Sequence, residues 1–124
     1  MAIKIIQITD THLMPRGTDL YGLDPCKRLE TCIKSINECH ADAELCIITG
    51  DLTDQGDREA YRDLRGILKE LLIPYHLLVG NHDHRQIFFE IFPSMTLTNI
   101  TTPKYESYQL STNKHFKISF LKPF

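Results

Sequence analysis

The stretch that most constrains this chain is Leu45-Cys46-Ile47-Ile48-Thr49-Gly50-Asp51, a short β-branched run that stops at a glycine and a carboxylate. Such a run reads as a buried strand that delivers an acid to the carboxyl end of a sheet, where open α/β sheets bind their ligands. A Gly-Asp pair after a strand is also ordinary turn chemistry, so Asp51 takes its meaning from its neighbours.

Upstream, Ile3, Ile5, Ile6 and Ile8 make a strand too apolar for simple alternation, hence one covered on both faces, and it ends at Asp10-Thr11-His12. Residues 13–24, with Pro15, Gly17 and Gly22, form a loop of a length usually kept for function. Asp24-Pro25 then supplies an N-cap and a first-turn proline, and Leu29, Ile33 and Ile36 mark one buried helical face running to about His40. After Asp51 a short loop through Gly56 leads to a second helix, capped by Asp57 and striped by Ala60, Leu64, Ile67, Leu68 and Leu71. Beyond Pro74, residues 75–79 read as a third strand that ends at Gly80-Asn81-His82-Asp83.

The order β-α-β-α-β predicts an α/β fold whose three strands are parallel through right-handed crossovers, with their carboxyl ends side by side. Ile87, Phe88, Ile91 and Phe92 suggest a short helix closed by Pro93. Residues 105–110 and 115–121 suggest a β-hairpin about the turn Ser111-Thr112-Asn113-Lys114.

With 124 residues, 42% hydrophobic and 24% charged, the chain is expected to form a single domain over 1–124. A net charge of -2 leaves no basic footprint for nucleic acid, so none is expected as a partner. No apolar run is long enough to span a bilayer, and Met1-Ala2-Ile3 opens straight into a strand rather than a signal peptide, so a cytoplasmic protein without a membrane partner is expected. Cys26, Cys32 and Cys39 fall on one helix, where Cys32 and Cys39 stand about 10 Å apart by helical rise, too far for a bridge. With Cys46 in a buried strand, all four are expected to be reduced and to serve packing.

The three strand ends carry complementary chemistry. Two residues apart, Asp10 and His12 can project to one side and chelate one cation, while the two oxygens of Asp51 can join that cation to a second. Asn81 offers the second cation a neutral carbonyl oxygen. A water held between two such cations loses a proton near neutral pH and becomes an in-line nucleophile for phosphorus. His82 can then hydrogen-bond a phosphoryl oxygen or protonate the leaving oxygen. Each piece alone can be a capping or left-handed turn, but turns on three different strands have no reason to agree. His84 follows the third motif where substrate can pass, which makes Asn81, His82 and His84 candidate substrate contacts. His40, His76 and His115 are read as structural, His40 favouring the helix dipole when charged.

Together, D-x-H at Asp10 and His12, G-D-x-x-D at Gly50, Asp51 and Asp54, and G-N-H-D from Gly80 to Asp83 resemble the first three motifs of the calcineurin-like metallophosphoesterases. The resemblance covers the first two-thirds of the chain. It implies the amino-terminal half of an αββα sandwich with two divalent ions drawn from Mn, Fe, Zn or Co. By that match Asp10, His12 and Asp51 are ligands of the first ion, Asp51 bridges, Asn81 serves the second and His82 is catalytic. The protein Ser/Thr phosphatase branch has an arginine after its second aspartate where Gln55 stands here, which counts against a phosphoprotein substrate. Leu20-Tyr21-Gly22-Leu23-Asp24 and the run from Glu59-Ala60-Tyr61 to Gly80-Asn81-His82-Asp83-His84-Arg85 are similar to the class III cyclic nucleotide phosphodiesterases and glycerophosphodiesterases, so a small phosphodiester is the expected substrate.

The family's later histidine and G-H-x-H pair have no counterpart here, which leaves the second ion only Asp51 and Asn81 and predicts that it is weakly held. A truncated metallophosphoesterase domain is therefore expected, its open sheet edge a possible route to homo-oligomers. The alternative is an inactive remnant that binds metal or phosphate, or an interaction module.

Overall fold

The computed structural model describes residues 3–93 together with the backbones of two later strands. In chain order the elements are β1 (Ile3–Thr9), α1 (Pro25–Cys39), β2 (Leu45–Thr49), α2 (Arg58–Leu68), β3 (Tyr75–Leu77), α3 (Arg85–Ile91), β4 (Tyr105–Gln109) and β5 (Lys117–Pro123). They form the expected α/β arrangement. One sheet has the order β3-β2-β1-β5-β4. β1 pairs with β2 and β2 with β3 in parallel, while β5 runs antiparallel between β1 and β4.

The helices form for local reasons and are held by burial. The Asp24 carboxylate accepts from the Lys27 amide at 3.2 Å and Pro25 opens α1, which buries Cys26, Leu29, Ile33 and Ile36. α2 buries Ala60, Tyr61, Leu64, Ile67 and Leu68, and packs against both α1 and α3. These faces cover Ile6, Ile8, Cys46, Ile48 and Leu77 of the parallel strands in one continuous core. Ile5 is buried as well, so β1 has apolar side chains covered on both faces, as its composition requires.

Several boundaries differ from the sequence reading. The α-helix stops at Leu68, and Leu71 reaches the core from the following turn rather than from the helical stripe. Asp57 stands at the N-cap of α2 without a side-chain cap bond. β3 ends at Leu77, although the Leu78 amide still donates to the Ile48 carbonyl at 2.9 Å. β5 extends to Pro123, which pairs with Tyr105 beyond the end of β1, where a missing N–H costs β1 no ladder bond. The turn at 111–114, His115 and the side chains of the hairpin lie outside the described residues. His40 caps α1, and burial together with Lys4 pushes its imidazole pKa down, so the helix end carries a ring biased to neutral rather than a cation. All four cysteines are free; Cys39 is exposed, whereas burial pushes the Cys32 and Cys46 thiols up to about 12. No helix among the described residues is long and apolar enough to cross a membrane.

Candidate metal centre

The first two motifs leave the sheet together. Past the last β1–β2 pair, the Asp10 amide donates to the Thr49 carbonyl (2.9 Å), His12 to Asp51 (3.0 Å) and Leu13 to Leu52 (2.9 Å), and the Asp54 amide returns to the Leu13 carbonyl (3.0 Å). The two segments therefore stay in parallel register beyond the strands. Asp10 and His12 do not share a side through strand alternation, however. Both adopt left-handed backbone, φ 54° and 43°, at a cost of about 1–3 kcal/mol each. Gly50, also left-handed at φ 76°, lies directly against the Asp10 carboxylate, where no β-carbon fits.

His12 is held by one nitrogen and presents the other. Its Nδ1 lies 3.0 Å from Asp54 Oδ1; a carboxylate oxygen accepts, so this contact favours the tautomer of the neutral ring with the proton on Nδ1 and a lone pair on Nε2. That Nε2 stands 3.6 Å from Asp51 Oδ2 and 4.0 Å from Asp10 Oδ1. Nitrogen and carboxylate oxygen this close together are a donor set that would hold a divalent cation. Asp51 is almost fully buried. Its Oδ1 accepts from the His82 amide at 2.9 Å, which leaves Oδ2 facing the imidazoles.

His82 arrives on the turn after β3, where the Asp83 amide reaches back to the Gly80 carbonyl at 3.3 Å. Its Nδ1 donates to the Asp54 carbonyl at 2.8 Å, and its Nε2 stands 3.9 Å from Asp51 Oδ2. The bond to Asp54 and the charge of Asp51 raise its pKa, which favours the imidazolium. The ligand atoms of His12, Asp51 and His82 all lie within 4.8 Å of one another, so His82 meets the geometric demand of a donor as well as that of an acid. The His12 and His82 rings meet edge to face with centroids 5.3 Å apart.

Of the other candidates, Asp10 joins this cluster through His12 and through the Asp51 amide, which approaches its Oδ1 at 3.3 Å. Asn81 is exposed at a central position of the 80–83 turn. His84 caps α3, its Nδ1 accepting from the Ile87 amide at 3.3 Å. A cavity of about 640 Å³ opens beside the cluster, lined by Asp10, His12, Asp54 and His82 together with residues such as Leu23 and Arg28. Neither Asn81 nor His84 lines it.

Two carboxylates with structural parts in the site carried no individual role in the sequence reading. Asp54 orients both imidazoles, one through its side chain and one through its carbonyl. Its spacing within G-D-x-x-D was the available signal. Asp83 accepts from the amides of Leu52, Thr53 and Gly80 at 2.8–2.9 Å. The crowding of Asp10, Asp51 and Asp54 around two imidazoles suits a divalent cation, and an oxygen-plus-nitrogen donor set suits Mn, Fe, Co or Zn. Asp54→Asn is expected to weaken Mn²⁺ binding about 10–100-fold, as loss of an outer-shell partner of a metal-bound histidine does, read by isothermal titration. An unchanged affinity would remove Asp54 from that role.

The sequence profile of the calcineurin-like phosphoesterases matches residues 3–121. The chain belongs to this family. Among its relatives, the "Probable cyclic nucleotide phosphodiesterase" of Rhodopseudomonas palustris is 42% identical over 93 residues, 75% of this chain and 34% of the relative. The "Probable glycerophosphodiester phosphodiesterase" of Arcobacter nitrofigilis is 36% identical over 83 residues, 66% of this chain and 30% of the relative. The 3',5'-cyclic-nucleotide phosphodiesterase of a Nostoc species is 36% identical over 84 residues, 67% and 32% of the two chains. The chain thus spans about a third of the length of the curated relatives it matches.

Proposed function

We propose that this chain carries the first half of the catalytic centre of a metal-dependent hydrolase of small phosphodiesters, cyclic nucleotides or glycerophosphodiesters. The observation that supports it most is the convergence of His12 Nε2, His82 Nε2 and Asp51 Oδ2 from three different strand ends. In this reading Asp10, His12 and Asp51 hold one divalent ion, and Asp51 with Asn81 reaches a second, drawn from Mn, Fe, Zn or Co. When bound, such ions neutralise phosphate charge and activate water for in-line attack.

The side chains then have distinct tasks. Asp54 keeps His12 in the tautomer that presents Nε2 to the ion. The same residue's carbonyl fixes the His82 ring, so that the Nε2 proton of its imidazolium is aimed at the cluster. From there His82 can donate to a phosphoryl oxygen and then protonate the leaving alkoxide. Gln55 supplies no charge to grip a phosphoprotein, and Asn81 and His84 flank His82 as candidate substrate contacts. The cavity has room for the organic group of a small diester, within the usual range of about 300–1,000 Å³ for ligand sites.

The deciding experiment is hydrolysis of bis(p-nitrophenyl) phosphate and cyclic AMP by the purified chain with Mn²⁺, with and without chelator. Chelator-sensitive turnover supports the reading. Mn²⁺ binding without turnover favours the alternative, a catalytically inactive metal-binding remnant. In active protein, His82→Asn is expected to lower kcat about 10²–10⁴-fold with Mn²⁺ affinity retained, the signature of an acid. A fall in Mn²⁺ affinity of the same size would make His82 a ligand instead.

A further inference from the structure

Asp83 and Tyr61 form a closed polar network beneath the centre. The two oxygens of Asp83 accept five hydrogen bonds: Oδ1 from the Thr53 amide, the Thr53 hydroxyl and the Tyr61 hydroxyl, each at 2.9 Å, and Oδ2 from the amides of Leu52 (2.9 Å) and Gly80 (2.8 Å). Tyr61 is fully buried on α2, and its oxygen accepts in turn from the His84 amide at 2.8 Å. Burial pushes the phenol up to about 12, so it donates as a neutral hydroxyl. Thr53 Oγ1 likewise both donates to Asp83 and accepts from the Gly56 amide at 2.9 Å. No side-chain polar atom of Thr53, Tyr61 or Asp83 is buried without a partner, which favours a network that adds rigidity.

The placement of these bonds matters more than their number. Leu52 and Thr53 directly follow Asp51, and Gly80 directly precedes Asn81. The His82 amide closes the same ring from the other side through Asp51 Oδ1. One carboxylate therefore ties together the two backbone segments that carry Asp51 and Asn81, while Tyr61 joins both to α2.

We propose that Tyr61 and Asp83 are positioning residues: they set the placement of Asp51 relative to Asn81 and thereby tune the affinity of the centre for divalent cations. This rests on the metal reading above. Neither residue contacts the ion; their effect passes through the peptide groups on either side of its donors. A merely structural role predicts something else, namely a lower thermal midpoint with unaltered cation affinity.

The test uses Tyr61→Phe, isosteric and able to keep the core filled, beside the harsher Asp83→Asn. In metal-free protein, amide hydrogen exchange read by NMR is expected to quicken at His84, Leu52, Thr53 and Gly80 in both variants, while the amides of β1 and β2 hold their protection. Mn²⁺ titration followed by electron paramagnetic resonance is expected to show affinity reduced about 10-fold in Tyr61→Phe and about 100-fold in Asp83→Asn, the span typical of outer-shell partners. Faster exchange with unchanged Mn²⁺ affinity overturns the positioning role and leaves a structural staple. Unchanged exchange overturns the network itself. A wild-type chain that takes up no Mn²⁺ overturns the metal reading and the tuning that depends on it, and the exchange pattern still decides separately whether the network exists.

Discussion

Asp51→Ala is expected to lower Mn²⁺ affinity by well over the ~100-fold that marks the upper range for loss of an outer-shell partner, because Asp51 is itself the donor shared by both proposed ions. Hydrolysis of bis(p-nitrophenyl) phosphate should fall with it to background. The loss is one of charge and donor oxygen, and Asp51→Asn isolates it. Asparagine keeps an oxygen in place to accept from the His82 amide, whereas alanine leaves that donor without its partner at a cost of about 1–3 kcal/mol if it stays dry. Both variants should lose the ion, and alanine should lose more of the fold, as read by urea denaturation without metal. An alanine variant that binds Mn²⁺ within about tenfold of wild type would exclude Asp51 as a ligand.

The second large effect is expected at Gly80. A β-carbon there would stand 2.7 Å from both the Asp51 amide nitrogen and the Gly50 carbonyl carbon, and would press on Asp51 Oδ1. The nearest obstacles include main-chain atoms, which cannot swing aside as the end of a side chain can. Gly80→Ala should therefore destabilise by at least the ~1–3 kcal/mol usual for overpacking and displace Asp51 from the donor cluster, so that folding midpoint and Mn²⁺ affinity drop together. Gly66, on the exposed side of α2 with nothing within 4 Å of such a carbon, is the control. Gly66→Ala should stabilise by about 0.4–1 kcal/mol through helix propensity and a stiffer unfolded chain. If Gly80→Ala unfolds at the same urea concentration as wild type, the close approach of the second and third motifs is wrong.

What could be read in advance followed the range of the forces involved. The start of α1 was legible because Asp24-Pro25 is a local signal, and the parallel core because Ile3 to Ile8, Leu45 to Ile48 and Tyr75 to Leu77 alternate with helical stripes. The register of β5 between β1 and β4 was not, since no local pattern says which distant strand a hairpin joins. At the site, Asp10, His12 and Asp51 could be assembled from parallel topology alone. The left-handed backbone of Asp10 and His12 could not, and strand alternation was the wrong reason for their shared side. Tyr61 stood outside the stripe read for the second helix and entered only through the Glu59-Ala60-Tyr61 resemblance. A buried tyrosine needs a hydrogen-bond partner, but that its partner is Asp83 depends on how α2 lies against the turn at 80–83.

The position of β1 has a further consequence, for the order in which the sheet can be made. β1 carries the first motif at its end and is paired on one side by β2 and on the other by β5. The β2 side closes over a span of chain that includes α1, whereas the β5 side joins β1 to a strand more than 100 residues away, through contacts such as Ile3 with Leu121. Long loops cost more entropy to close, and sheets built on distant pairings assemble slowly. On a ribosome, the strand that leads into Asp10 and His12 therefore has one edge unpaired until residues 117–123 have been made, with Asp51 and His82 already translated.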